Sequence, residues 1–232
     1  LQGGAGRARW GPMSDEPQKF SRTYHLPWSL GATDDDTTHP PEDVERMFGG
    51  LEVVATEKMD GENTTIYWNG RTHARSLNSG AHPSRDAVRA LAADLGSRGI
   101  PRRWRLVGEN LYARHSIPYD QLPGYFLLFG VINDENVALP WEEVEEWAAL
   151  LELPTAPVLY RGGWDPKVIK GLWPRRSSAS SSETAEGYVV RPAGSFPMEA
   201  YAHHTAKFVR PNHVQTNDHW MHAAVVPNLL AP

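Results

Sequence analysis

Apolar and β-branched residues crowd the stretch 51–59 (LEVVATEKM), which predicts a strand. Asp60-Gly61 then gives a turn signal, and 63–68 (NTTIYW) predicts a second strand returning from it, so that Lys58 sits at a strand end beside a hairpin turn. Asn69-Gly70 marks another tight turn, and 72–76 predicts a third strand. Residues 84–98 (SRDAVRALAADLGSR) carry apolar positions at helical spacing, with Ser84 as a candidate N-cap and Gly99 closing the helix. The runs 106–111 and 125–132 (YFLLFGVI) predict buried strands. Pro140 opens a helix through WEEVEEWAALLEL, with acidic residues in its first turn, where the helix dipole favours them. A short helix is predicted at 167–173, a serine-rich loop at 175–183 (RRSSASSSE), and two further strands at 187–191 and 206–210.

Strands that come largely as hairpins, with helices between groups, predict an α+β fold of antiparallel sheets with flanking helices rather than a doubly wound sheet. Residues 1–22 are polar and irregular and are expected to be a disordered lead-in, with Met13 a candidate start. One domain is expected over 23–232. The segment 23–41, with its Asp34-Asp35-Asp36 run, reads as an extended loop and a solvated acidic turn.

The chain has 232 residues, enough to bury a core without staples, and no cysteine, which removes disulfides, thiolate metal sites and a cysteine nucleophile together. It has no apolar run of the roughly 18 residues a membrane span needs, and its first twelve residues lack the apolar stretch of a secretory signal. A cytoplasmic monomer is the expectation. The formal net charge is −5, whereas proteins that grip nucleic acid by bulk charge are basic. Any nucleic-acid contact must therefore be local. Arg102, Arg103, Arg105, Lys167, Lys170, Arg175 and Arg176 are candidates, though such clusters are more often solvated charge. His203, His204, His213, His219 and His222 do not have the spacing of a zinc site.

The chemistry concentrates at Lys58-Met59-Asp60-Gly61-Glu62-Asn63. A lysine amine attacks only when neutral, and its pKa in water is about 10.4, so burial or a neighbouring cation is expected to lower it. A glycine lets backbone approach a phosphate without a Cβ in the way. Further along, Arg75, Glu109 (in GENLYA), Phe129, Glu186 (in EGYVVR) and Lys207 (in AKFVR) each fall in or beside a predicted strand. Buried strands rarely tolerate an unpaired charge, so several strands carrying one charge each suggest a shared polar cleft. The alternatives are Glu109 as a surface residue, Phe129 as plain core, a structural Glu186–Lys207 salt bridge, Arg71 serving in place of Arg75, and Asn63 merely shaping the turn.

Taken in order, KMDGEN, HARS, GENLYA, LLFGVI, EGYVVR and AKFVR resemble the motif series of the covalent nucleotidyltransferase superfamily of DNA ligases, RNA ligases and capping enzymes, over about residues 50–218. The Asn two residues after the glycine, the GENLYA form and KFVRPNHVQT resemble the ATP-dependent RNA ligase branch. The resemblance implies that Lys58 attacks the α-phosphorus of ATP and holds AMP as a phosphoramidate. It implies Glu109 on the ribose hydroxyls, Phe129 stacked on adenine, Glu186 as ligand to Mg2+ or Mn2+, and Lys207 neutralising charge on the α-phosphate. Arg75 would contact ribose or phosphates, Asn63 phosphates or metal-bound water, and Glu57 joins the nucleotide-binding set. The partners implied are RNA ends, a 5′-phosphate and a 3′-hydroxyl, with a protein partner possible for end specificity. About 22 residues follow the last motif, too few for an OB barrel, which favours RNA over DNA as substrate.

Two positions depart from the family pattern. Gly130 follows Phe129 where an acidic residue is usual, and Val209 holds the place of a second lysine, with Arg210 on the other strand face. The alternatives are a DNA ligase core using an OB domain in trans, a non-sealing nucleotide-dependent RNA-end-binding module, and a ligase that transfers AMP to something other than RNA.

Overall fold

The computed structural model describes residues 15–211 and 224–232. Its strands form two sheets. The first contains β1 (Tyr24–His25), β2 (Glu52–Lys58), β8 (Val158–Gly163), β9 (Gly187–Pro192) and β11 (Ala206–Val209), in the order β1-β11-β9-β2-β8. The second contains β3 (Glu62–Tyr67), β4 (Thr72–Ala74), β5 (Arg105–Asn110), β6 (Phe126–Ile132), β7 (Val137–Ala138) and β10 (Phe196–Pro197), in the order β10-β7-β6-β5-β3-β4. Among the described strands β1 and β11 run parallel and the other pairs are antiparallel. Among the described residues four α-helices flank them: α1 (Pro41–Phe48), α2 (Asp86–Leu95), α3 (Trp141–Leu150) and α4 (Pro166–Lys170). This is the α+β arrangement the hydrophobic pattern predicts.

β2 explains why its sequence is almost continuously apolar. Val53 and Ala55 enter a core with Leu26, Val44, Phe48, Tyr188 and Phe208, while Val54 enters the other core with Ile66, Leu106, Trp141 and Val144. A strand buried on both faces reads as a run rather than an alternation. No helix among the described residues is long and apolar enough to cross a membrane.

Several expectations need correction. β2 and β3 are not a hairpin: β2 pairs with β8 and β9, whereas β3 pairs with β4 and β5. The chain between them steps from one sheet to the other. The hairpin at Asn69-Gly70 does form, with Gly70 at φ +77°. The acidic loop 23–41 ends in α1, where Pro41 takes the first helical turn, Glu42 and Asp43 sit at its positive end, and Val44 and Phe48 face the core four residues apart. Ser84 does not cap a helix; it lies in a 3-10 turn whose N-cap is His82, and α2 follows it. β8 (VLYRGG) was not predicted, because two glycines obscure it. Residues 15–22 form no helix or strand, but Phe20 is buried against Tyr201 and Phe129, with ring centroids 4.9 and 5.9 Å away. Residues 1–12 and Met13 lie outside the described residues.

Candidate active site

Lys58 is the last residue of β2, opposite Gly187 of β9. Its Nζ lies 2.7 Å from Oε1 of Glu186, whose side chain is 3% exposed. Glu186 therefore pairs with Lys58 and not, among the described ion pairs, with Lys207. Gly187 also lets β9 lie close to β11: a Cβ there would fall 1.9 Å from the carbonyl oxygen of Phe208. Gly187→Ala is expected to force β9 from β11, costing about 3 kcal/mol, read as a fall in the urea midpoint. Gly163→Ala, where a Cβ meets nothing within 4 Å, is the control and should leave the midpoint nearly unchanged.

The step between the sheets is anchored at Asp60. Its carboxylate accepts from the Ser116 N–H (2.8 Å), the Ser116 hydroxyl (2.6 Å) and the Ile117 N–H (2.8 Å), and its own N–H donates to the Tyr119 hydroxyl at 2.8 Å. Gly61 lies against β5, where a Cβ would come within 2.6 Å of the Asn110 carbonyl oxygen. The Asp-Gly pair thus carries the chain across the cleft and fixes Lys58 at its edge. Glu57 borders the cavity, but its carboxylate accepts from the hydroxyl of Ser177 and the N–H of Ser178, tying down the serine-rich loop.

The second sheet supplies the facing wall. Glu109 on β5 lies opposite Asn63 on β3. Burial pushes the Glu109 carboxyl up to about 8, opposed by the Lys58 ammonium and reinforced by Glu186 and Asp60. It is partly buried within the cleft rather than at the surface. Asn63 lines the cavity with a buried Oδ1 that has no hydrogen-bond partner. Phe129 is half-buried: it packs on Phe20 and also faces the cavity. Arg75 follows β4, donates its N–H to the Asn63 carbonyl at 2.9 Å, and lines the cavity, whereas Arg71 is exposed at the hairpin turn and does not line it.

Lys207 enters from β11 beside Val189. Burial and the Lys58 charge lower its pKa to about 8 against the pull of Asp36 and Glu186. Val209 lies on the same strand face but is buried: a Cβ on Gly31 would meet its Cγ1 at 2.8 Å, and its N–H donates to the Ser29 hydroxyl. The segment 29–31 thus closes the position where the family has a second lysine. Arg210 turns away and donates to the Thr184 carbonyl.

Lys58, Asn63, Arg75, Glu109, Phe129 and Lys207 border one cavity of about 720 Å3 between the sheets. Sequence reasoning missed Arg22 and His115, which border it too. Arg22 lies near enough to Arg75 to depress that guanidinium's pKa, after burial. No motif flags either residue; the tertiary fold brings them in. Arg105, a candidate phosphate contact, is buried and donates to Gln18 and Asn136, and Arg102 and Arg103 pair with Asp15.

The expectation that Lys58 has a lowered pKa is reversed. Burial acts in that direction, but Glu186, Glu109 and Asp60 outweigh it and raise the value. The resting lysine is an ammonium held by a carboxylate. No group of three or more His, Cys, Asp or Glu placed to hold a metal occurs among the described residues. His213, His219 and His222 lie outside them. The carboxylate of Glu186 and the unpartnered Oδ1 of Asn63 are hard oxygen donors of the kind a divalent ion takes.

A family model described as RNA ligase matches residues 51–209. Among solved structures, the fold is similar to that of a Naegleria gruberi RNA ligase. For a point variant of that enzyme with ATP and Mn, the TM-score is 0.60 at 17% identity, covering 85% of this chain and 58% of that one. For the pyrophosphate complex the values are 0.54, 21%, 72% and 52%, and for another variant with AMP and Mn, 0.55, 16%, 85% and 58%. The chain thus spans little more than half of each of those proteins. No match was found among curated proteins.

Proposed function

This chain belongs to the RNA ligase family, and from that membership we propose that it is an ATP-dependent RNA ligase that adenylates itself on Lys58, passes AMP to a 5′-phosphate end and joins that end to a 3′-hydroxyl. The observation that carries the reading is the convergence of Lys58, Glu109 and Lys207, from both sheets, on a single cavity, with Glu186 bonded to Lys58 at its edge. The Naegleria ligase complexes contain ATP with Mn, AMP with Mn, and pyrophosphate. These are the substrate, the retained group and the leaving group of such a reaction.

Lys58 must shed a proton to solvent before it can attack, and the Glu186 carboxylate 2.7 Å away holds and orients its Nζ. The Nζ lone pair then forms the P–N bond to the α-phosphorus as the P–O bond to pyrophosphate breaks, and the second proton leaves to solvent. Lys207 meets the charge that grows on the α-phosphate oxygens. A half-neutral Glu109 can both donate to and accept from ribose hydroxyls. Phe129 offers a face for the base, and Arg22 with Arg75 supplies positive charge that Val209 does not. A divalent cation held by Glu186 and Asn63 would withdraw charge from the phosphates.

The test is incubation with ATP labelled at the α-phosphate, a divalent metal and, in parallel, 5′-phosphorylated RNA or DNA. A label that survives denaturation, maps to Lys58 by mass spectrometry and passes to RNA is expected. No label with ATP or GTP sinks the reading. A label that forms but passes to no nucleic acid end would point to a non-sealing module.

A further inference from the structure

The mechanism leaves unexplained why the loop that holds Asp60 keeps its shape. Residues 111–122 contain no named strand or helix, yet they present two N–H groups and two hydroxyls to Asp60. A loop of this kind must satisfy its own backbone polar groups, and the partner that does so is remote in sequence. Asn228 is 2% exposed. Its Nδ2 donates to the carbonyls of Leu111 (2.9 Å) and Ala113 (3.4 Å), and its Oδ1 accepts from the Tyr119 N–H at 3.0 Å. Its own N–H donates to the Tyr112 carbonyl at 2.9 Å, and its carbonyl accepts from the Tyr125 hydroxyl at 3.2 Å. The flanking backbone continues the clasp: the Arg114 N–H donates to Val226, the Leu229 N–H to Tyr119 and the Ala231 N–H to Leu122. One side chain thus bridges both ends of the loop, and Tyr119, which it holds by the N–H, is the residue whose hydroxyl receives the Asp60 N–H.

We propose that Asn228 is a positioning residue for Lys58, acting through loop 111–122 and Asp60, and that the segment 224–232 is a clasp on which the alignment of the nucleophile depends. The inference rests on Lys58 being the adenylated residue. Asn228 does not border the nucleotide cavity, so its loss should leave ATP affinity alone and slow the step that needs Lys58 in place. Truncation leaves the Leu111 carbonyl and the Tyr119 N–H buried without partners, which favours a shifted loop.

The test uses the full chain carrying Asn228→Ala, with Asn228→Ser as a milder variant that keeps one hydrogen-bonding group if the first does not fold. The rate of covalent labelling at saturating ATP is expected to fall at least tenfold, while the KM for ATP stays within twofold. Hydrogen exchange should quicken in peptides spanning 58–62 and 111–122 and stay unchanged in β6. Val144→Ala, a core truncation under α3, serves as a stability control. The proposal is overturned if labelling of the Asn228 variant stays within twofold of wild type, if KM rises in step with the loss, or if Val144→Ala with the same drop in Tm loses as much rate. Wild-type labelling at Lys58 in the same assay shows whether the underlying reading holds independently of the Asn228 result.

Discussion

Lys58→Arg is expected to abolish covalent labelling by ATP while the protein stays folded. An arginine keeps a positive charge for Glu186, which lies 2.7 Å from Nζ in the wild type and has a side chain only 3% exposed. But a guanidinium cannot be deprotonated in a protein, so it has no lone pair with which to attack phosphorus. Labelling should fall beyond detection, and the unfolding free energy from urea titration should change by about 1 kcal/mol or less, as for an exchange that preserves a charge pair. Lys58→Ala should abolish labelling equally but also leave a buried carboxylate without its counter-ion, which destabilises the fold. Comparing the two separates nucleophile from ion pair. Labelling of Lys58→Arg at even a few per cent of the wild-type rate would mean that another residue carries the nucleotide.

Lys207→Met is expected to lower the rate of labelling by about 100- to 1000-fold, the usual cost of removing one preorganised partner of developing oxyanion charge. Its pH dependence provides a sharper test. In the unliganded protein burial and the Lys58 charge lower the Lys207 pKa from its ordinary value to about 8. Lys207 is therefore charged below pH 8 and loses its charge as the pH rises through 8. The quotient kcat/KM reports the free enzyme, so it should fall on the alkaline side with a midpoint near 8. Lys58 acts in the opposite sense, because it must lose a proton and its pKa is raised. In Lys207→Arg, whose charge does not titrate in this range, the alkaline fall should move away or vanish. An alkaline limb that is unchanged in Lys207→Arg would assign it to another group, with Glu109, also near 8, the first to examine.

Much of the fold was legible because burial leaves a pattern in residue type. The runs that became β2, β3, β5, β6, β9 and β11 are rich in apolar, aromatic or β-branched residues over the lengths of strands, and α3 follows its proline and acidic first turn. The elements that escaped notice have weaker local marks. α1 is two turns long and hidden behind an acidic run, and β8 ends in two glycines. β1 is two residues that become a strand only because β11 lies beside them. The charged residues of the cleft stood out for a related reason: a Lys or Glu within a buried strand is costly unless something else in the fold requires it.

The sequence by itself singled out the residues to which we assign the chemistry: a lysine ending a strand, carboxylates at Glu109 and Glu186, and a second lysine at Lys207. Each is local, since strand periodicity decides which face a side chain takes. What the tertiary structure alone decided is how these groups act on one another. It placed β2 and β3 in different sheets because Asp60 and Gly61 are held by residues about fifty positions away. It brought Glu186 to Lys58 because β9 pairs with β2 in the register that sets Gly187 opposite Lys58. It closed the Val209 position with segment 29–31 and set Arg22 near Arg75. It also reversed the protonation expected for Lys58, because a pKa is set by the field of every neighbouring charge, and that field exists only once the strands have met.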